Sequence, residues 1–571
     1  MPESLPEPEA PRLSRVAQRA PVLWVAGAVL AGYIFASIWP RLPPRVLAWT
    51  ALGFLSGALF VLAKAPQRGF RQRKFLLPWG GCFLIAATLL AWAWHEVRVQ
   101  TPAPEWATLP PREATLTLRV TRTFTPRADS DYAGGLAQVM NAPSILKDLQ
   151  GQIIDYSVRA RSGEIRPARG ETVEITGLLA YLPEATDALS FPAYLHTQGA
   201  WFEFTRGRLQ REVAPPNWWM RWLSIQHTRL ETVFRHGPAS LENAYGQVYV
   251  ALLLGEPALL SPDQRTEFTI SGAIYLFAIS GLHVGILAMA TWWLCRQIPR
   301  LPHTVGEIIT AIVVWLYAEI AGGTTSARRA ALMLTFYLLA KWFGRARSPF
   351  PAVAAAGVAV LIIDPLALNS AGFQLSYAVV LGLILYAPPL LEALRRHAKP
   401  WRDVPADSLP PWKKCGRWLW DKIAGMLVTS WTAVLCSSPL TAEFFGVFSA
   451  HALALNLLMF PLTCAVLWSG ASAAATGLGG VPPLTWISWL ANALGLIGVA
   501  IMEFVARIAP PLPGVFARLQ LIPGWAGSAA ALTIILLMLF GLPRQKPPRW
   551  WYFALPVILL AIVAIFTVHP A

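Results

Sequence analysis

Ser280 and His283 stand one helical turn apart within Phe277-Ala278-Ile279-Ser280-Gly281-Leu282-His283-Val284-Gly285. A hydroxyl beside an imidazole is the raw material of nucleophilic catalysis, the serine attacking and the histidine taking its proton. The same pair can also bond to each other or to a carbonyl of the preceding turn, and merely tie helices together. Arg328 and Arg329 follow Gly322-Gly323-Thr324-Thr325-Ser326. One guanidinium of such a pair can snorkel to an interface while the other serves function. Gln374 and Ser376 fall in Ser370-Ala371-Gly372-Phe373-Gln374-Leu375-Ser376-Tyr377, and Asn456 precedes Pro461. Such amides pair helices or contact polar cargo. Asp364 before Pro365 reads as a cap or turn. Glu256, Glu319, Glu443 and Glu503 read as isolated acids near helix ends, without an assignable role.

The background makes these groups informative. The chain is 55% hydrophobic and only 14% charged over 571 residues. Windows of roughly 17–25 apolar residues, the length that spans a bilayer, recur near 22–38, 46–63, 76–94, 273–295, 305–321, 327–343 and 373–391. Others lie near 423–440, 452–470, 484–506, 524–541 and 551–567, with a shorter one at 351–363. The count is about thirteen. Polar groups at membrane depth are costly unless packing or a cavity compensates them, so function belongs to a polar interior.

The net charge of +16 invites a nucleic-acid reading, but its placement is topological. Lys64, Arg68, Arg71, Arg73 and Lys74 crowd one short connection; Arg395, Arg396, Lys399, Arg402, Lys413, Lys414, Arg417 and Lys422 fill another. Threading thirteen spans with Arg12, Arg15 and Arg19 inside puts these clusters on the cytoplasmic side. The N-terminus is then cytoplasmic, with residues 95–270 and the C-terminus outside. The first span lacks a clear cleavage pattern and reads as an uncleaved anchor. The five cysteines have neither disulfide nor metal spacing.

Residues 95–215 break the membrane pattern. Thr115–Val120, Ile154–Ala160, Val173–Thr176 and Trp201–Phe204 carry period-two alternation between glycine-punctuated turns. That suits a small β-barrel or sandwich, and a five-stranded OB-like barrel is expected. Tyr156, Arg159, Arg161, Arg166 and Arg169 form a local cluster that fits either a solvated edge or a single-strand-binding face. After Pro215-Pro216, Trp218–Leu223 followed by Leu230, Val233 and Phe234 at helical spacing predicts an amphipathic helix in the membrane interface.

Four constellations recur in order. The first joins Gly255-Glu256, Ser271-Gly272 and Ile279–His283 with Gly281 and Gly285. The second is Gly322–Met333, with Gly323 at the turn. The third is Asp364-Pro365 with Gly372–Tyr377, and the fourth joins Ser438-Pro439-Leu440, Phe445-Gly446 and Asn456–Pro461. Over roughly 240–465 they resemble the competence domain of the ComEC-type DNA-internalisation proteins. Three leading spans and a β-rich segment ending in Ser190–Trp201 are similar to that family's N-terminal OB-like region.

The resemblance implies a polytopic α-helical channel in the bacterial inner membrane that passes one strand of DNA inward during natural transformation. It places Ser280, His283, Arg329, Gln374, Ser376 and Asn456 along the path. It also implies as partners a DNA receptor, a helicase or ATPase and a separate nuclease, and it is compatible with a homo-oligomer. No nucleotide-binding loop is apparent in the sequence.

The domain reading is three N-terminal helices over 1–95, an extracytoplasmic OB-like domain over 96–215 and interfacial helices over 216–270. The channel domain follows over 271–470 and C-terminal helices over 471–571.

Two departures stand out. Tyr275 takes a place where relatives commonly show histidine. The His-x-His-x-Asp-His motif of the metallo-β-lactamase-like domain many relatives carry is absent from the nine histidines. The expectation is a chain that conducts and does not cut, with no cofactor. A small-solute or lipid exporter shares the fold class and polar midplane. An intramembrane serine hydrolase built on Ser280 and His283 lacks a triad partner.

Overall fold

The computed structural model describes residues 22–39, 42–64, 73–99, 102, 104–124, 132–159, 167–182, 190–239, 243–344, 348–401, 404–405, 408–449, 452–508, 516–521, 525–541 and 550–570. Arg12, Arg15, Arg19, Arg68, Arg71, Arg161, Arg166 and Arg402 lie outside the described residues.

Helices α1 (Val22–Ile38), α2 (Pro44–Lys64) and α3 (Arg73–Arg98) open the chain, and a five-stranded unit follows: β1 (Arg112–Phe124), β2 (Tyr132–Asn141), β3 (Ile153–Arg159), β4 (Thr172–Tyr181), α4 (Phe191–Thr197) and β5 (Ala200–Ala214). Then come α5 (Trp218–Phe234), α6 (Ala244–Leu254), α7 (Pro262–Ile270), α8 (Gly281–Gln297), α9 (His303–Ile320), α10 (Thr325–Trp342), α11 (Pro349–Ile363), α12 (Ala371–Leu385) and α13 (Ala387–Ala398). The last part is α14 (Pro411–Phe445), β6 (Val447–Ser449), α15 (Ala452–Gly477), α16 (Pro482–Ile508), β7 (Phe516–Leu521), α17 (Ala526–Gly541), α18 (Trp550–Thr567) and β8 (Val568–Pro570).

Contacts divide the chain into two compact units. The first holds α1–α3, the part of α10 from Leu332 onward, and α11. Helix α1 meets α3 at Gly32, where a Cβ would stand 2.3 Å from the Thr88 carbonyl oxygen, so only glycine permits the approach. Helix α11 ends with every one of its last four carbonyls satisfied. Val360 accepts from the Asp364 N–H at 2.8 Å, Leu361 from Tyr33 Oη at 2.9 Å, Ile362 from Trp94 Nε1 at 2.8 Å and Ile363 from Arg98 Nη2 at 3.0 Å. In an apolar surrounding each orphan carbonyl would otherwise cost free energy.

The second unit carries the strands and most remaining helices. The five strands close into a barrel in the order β1-β2-β3-β5-β4, so the barrel-or-sandwich expectation resolves as a barrel. Neighbours are antiparallel except β3 and β5, which run parallel. Period-two alternation turns Leu116, Leu118, Val120, Ile154, Val173, Ile175, Phe202 and Phe204 inward. Helix α4 seals an outer face through Leu195 against Leu136 and Ala200.

Helix α5 starts at an Asn217 cap that accepts the Met220 N–H at 2.8 Å. It buries Leu223, Leu230 and Phe234 and leaves Trp218 and Ile225 exposed, as its amphipathic pattern predicts. Asn492 of α16 fixes its far end, donating to the carbonyls of Val233 at 2.8 Å and His236 at 3.1 Å.

Among the described residues, six helices are long and apolar enough to cross a membrane, or seven if the bent pair α12–α13 is one span. That pair bends by 42° where Pro388 and Pro389 withdraw two backbone donors. The apolar run at 273–295 also departs from a continuous helix. Gly272 adopts φ 72°, a short 3-10 turn occupies Ile274–Phe277, and α8 begins only at Gly281. A left-handed glycine followed by a serine N-cap stops and restarts the backbone despite the uninterrupted hydrophobicity.

Candidate functional site

The four polar constellations are linked in a ring, the third reaching the helix of the fourth through Ser528. Helix α8 starts against α10, with a Cβ on Gly281 lying 4.0 Å from the Ala330 Cβ. Beside it, Arg329 Nη2 donates to the Gly372 carbonyl at the start of α12 at 2.7 Å. Two residues on, Gln374 Oε1 lies 2.7 Å from Ser528 Oγ at the start of α17, and Ser528 Oγ lies 2.7 Å from Glu443 Oε1 near the end of α14. Tyr275 Oη donates to Asn456 Oδ1 of α15 at 2.6 Å, which returns to the first constellation. Residues spread over more than 250 positions thus close a circuit within the second unit.

His283 is the internal tie of the first constellation, 2% exposed. Its Nε2 lies 3.1 Å from the Leu252 carbonyl oxygen, which can only accept, so Nε2 carries the proton. Nδ1 is then the acceptor, 3.0 Å from Ser280 Oγ and 3.3 Å from the Ser280 N–H. A single lone pair is shared by two donors of one residue, an arrangement that caps α8. Gly255 ends α6 at φ 71° and packs on Ile279, where a Cβ would meet Cγ1 at 2.4 Å.

Arg329 is 3% exposed. Among the described residues its one hydrogen-bond partner is the neutral Gly372 carbonyl, and its Nε is buried without a partner there, as is Tyr377 Oη. No carboxylate pairs with it among the described residues. Arg328 behaves differently, gripping Glu319 through Nε at 2.6 Å and Nη2 at 2.7 Å.

The remaining sequence candidates fall as follows. Ser376 is half-buried on α12. Gly285 faces open space. Gly323 holds φ 62° in the turn before α10. Pro439 lies inside α14, its carbonyl oxygen 2.2 Å from where a Gly527 Cβ would stand, and Pro461 lies inside α15. Asp364 and Pro365 belong to the first unit, where Asp364 Oδ1 accepts the Leu366 N–H at 3.1 Å as a turn cap.

On the barrel, Tyr156 is a correction. It points into the core, 1% exposed, because its position in β3 has the inward parity, so it cannot stack on a ligand. Arg159 is exposed at the end of β3. Arg169 reaches away from the strands, its Nη2 lying 3.8 Å from Glu319 Oε2.

The four acids without an assigned role are all engaged. Glu256 pairs with His227 at 3.1 Å, and this hydrogen bond raises the His227 pKa. Glu319 holds Arg328, Glu443 accepts the Ser528 N–H at 2.5 Å, and Glu503 holds Arg507 and receives Gln264 Nε2 at 3.3 Å. Gly527-Ser528 ahead of an apolar run is a readable helix start. Its partner Glu443 is 85 residues away and carries no local signal.

Among the described residues, no group of three His, Cys, Asp or Glu side chains could hold a metal ion.

Residues 252–546 match the family model described as Competence protein. ComE operon protein 3 of Bacillus subtilis (strain 168) is 26% identical over 309 residues, covering 53% of this chain and 35% of that protein. Competence protein ComA of Neisseria gonorrhoeae is 35% identical over 141 residues, covering 24% of this chain and 20% of that protein. The chain therefore spans well under half the length of either relative. No solved structure matches it.

Proposed function

Because this chain belongs to the competence protein family, with more than half of its length matched, we propose that it passes a single strand of DNA across the cell membrane during natural transformation. The observation that carries this reading is Arg329, a buried guanidinium cradled by a neutral carbonyl. A buried cation normally keeps a counter-ion, and one without it costs stability that a passing anion can recover. The amides of Gln374 and Asn456 supply further groups that bind phosphate or water weakly. Weak, repeated contacts suit an anion that must leave as readily as it enters.

The six long spans, the bent pair and the shorter apolar helices support a reading of about thirteen crossings. The strand order β1-β2-β3-β5-β4 supports an OB-like barrel, which the charge bias of the connections assigns to the outer side. The proposed location is the inner membrane, and the proposed partners are a DNA receptor, an ATPase and a nuclease on another polypeptide. Labelled-DNA uptake in a deletion strain complemented with Arg329→Ala tests the reading, and normal uptake would overturn it.

The 3.0 Å Ser280–His283 contact is the one observation favouring a hydrolase. Burial of the imidazole, and a carbonyl where a triad would place a carboxylate, weigh against it.

A further inference from the structure

Two guanidiniums, Arg169 and Arg328, gather around the Glu319 carboxylate at the turn before α10, and Arg122 lies close enough to act on the charge of Arg169. The loop preceding β4 is fixed to β1 by two backbone bonds, Val120 N–H to Glu171 at 2.9 Å and Gly170 N–H to Val120 at 2.8 Å. This sends Arg169 toward Gly323, where a Cβ would stand 2.8 Å from Arg169 Nη2 and 2.9 Å from Arg328 Nη2. Two guanidiniums therefore flank one glycine. Arg328 saturates Glu319 with two short hydrogen bonds, which leaves Arg169 an ion pair at 3.8 Å and no hydrogen bond among the described residues. Its side chain is 26% exposed, so its donors are reachable. Burial and the nearby charges of Arg328 and Arg122 lower its pKa, against the opposing pull of Glu319.

Arg122 extends the cluster to an aromatic platform. A register shift between Val120 and Arg122 turns Arg122 outward from β1. It lies 5.9 Å from the Phe124 ring centre and donates to Tyr194 Oη at 2.9 Å. Phe191 and Tyr194 on α4 stack at 5.9 Å and 24°, and Phe124 meets Phe191 edge-on at 6.0 Å. Phe191 is 54% exposed, a large ring held open to solvent. Asp155 also lies near Tyr194, but burial and Glu203 push its carboxyl up to about 7, which weakens its repulsion of a phosphate near neutral pH.

We infer that this junction is a receiving site for single-stranded DNA, with Phe191 and its ring neighbours stacking a base and Arg122 and Arg169 holding the adjoining phosphates. Stacking rings beside an excess of guanidiniums suit a single strand, in which every base offers a face and every linkage a charge. A lipid headgroup shares the phosphate chemistry but has no use for the stacked rings. The identification of the ligand as DNA rests on the proposed strand passage; the geometry of the site does not.

The test is fluorescence anisotropy of a labelled oligo-dT strand with the full chain in detergent. Phe191→Ala and Arg169→Gln should each weaken binding about tenfold, with a shallower salt dependence for Arg169→Gln. Arg211→Gln, which removes a surface partner of Glu174 elsewhere on the barrel, should bind as the parent does. Phe191→Ala leaves the ion pairs intact, so a loss there is not a loss of barrel docking. Parental affinity in both variants would overturn the site. So would displacement of oligo-dT by phosphatidylglycerol micelles combined with parental affinity of Phe191→Ala, which marks a headgroup site. Oligo-dT binding that depends on Phe191 and Arg169, alongside normal uptake by Arg329→Ala, would uphold the site and reject the strand path.

Discussion

Arg329 donates to the Gly372 carbonyl oxygen at 2.7 Å from a position 3% exposed, while the preceding Arg328 takes the carboxylate of Glu319. Neighbouring arginines in one helix thus have opposite electrostatic environments. Arg328 is neutralised. Arg329 is not.

This contrast separates function from stability. An apolar replacement relieves Arg329 of its desolvation cost, so Arg329→Met should unfold no more readily than the parent. It should nonetheless lower labelled-DNA uptake at least tenfold, a loss of about 1.4 kcal/mol or more. Arg329→Lys keeps the charge but loses the fork and should fall between. A variant that melts early and transports normally per folded molecule would reverse the assignment.

For the first constellation the prediction turns on the tautomer. Nδ1 of His283 accepts from both donors of Ser280, so Ser280→Ala removes one of two competing bonds and should cost about 1 kcal/mol or less. Uptake should persist, and a serine-directed phosphonate should not label the parent. His283→Ala orphans the Leu252 carbonyl as well, and should cost about 2–3 kcal/mol in detergent unfolding. Covalent labelling of Ser280 would restore the hydrolase reading.

Gly255 sits at φ 71° with Ile279 where its Cβ would be. Gly255→Val combines left-handed strain with a clash and should destabilise by about 2–4 kcal/mol. Ile279→Ala should recover only the steric part in the double variant, since the backbone strain remains. Full recovery would show that conformation costs nothing there.

Asp155 titrates near 7, pushed up first by burial and then by Glu203. The folded pKa lies above the ordinary value of about 4, so the fold binds the proton more tightly than the unfolded chain. Stability from this group is full below about pH 4 and is lost as pH rises toward 7. Asp155→Asn should therefore stabilise the protein by on the order of 2 kcal/mol at pH 8 and by little at pH 4.5. Melting curves at the two pH values check it, and an equal gain at both would exclude the linkage.

The barrel strands were legible because burial on one face imposes a period of two, and α5 because its apolar stripe imposes a period near 3.6. The break at 271–280 was not, since hydrophobicity there is continuous and only Gly272 and Ser280 mark the stop. Arg169 reads locally as part of a basic turn, yet its partner Glu319 lies 150 positions on. Tyr156 shows the converse failure: its residue type suits stacking, while its strand parity sends it inward.

Ser528 joins three helices through one proton. Its Oγ is 2.7 Å from both Gln374 Oε1 and Glu443 Oε1, and a hydroxyl can donate only once. The ionised partner makes the stronger acceptor, so the proton goes to Glu443, and the Gln374 amide must turn its NH₂ toward Oγ. This order of donors predicts that Gln374→Glu, which has no N–H to give and adds a second acid beside Glu443, is worse than the shorter but still donating Gln374→Asn. The expected gap is about 2 kcal/mol in detergent unfolding. Ser528→Ala and Glu443→Gln should each destabilise by about 1–3 kcal/mol, and the pair should couple by at least 0.5 kcal/mol in a double-mutant cycle. If Gln374→Glu is the milder change, Gln374 is the acceptor, and the proton of Ser528 belongs to it.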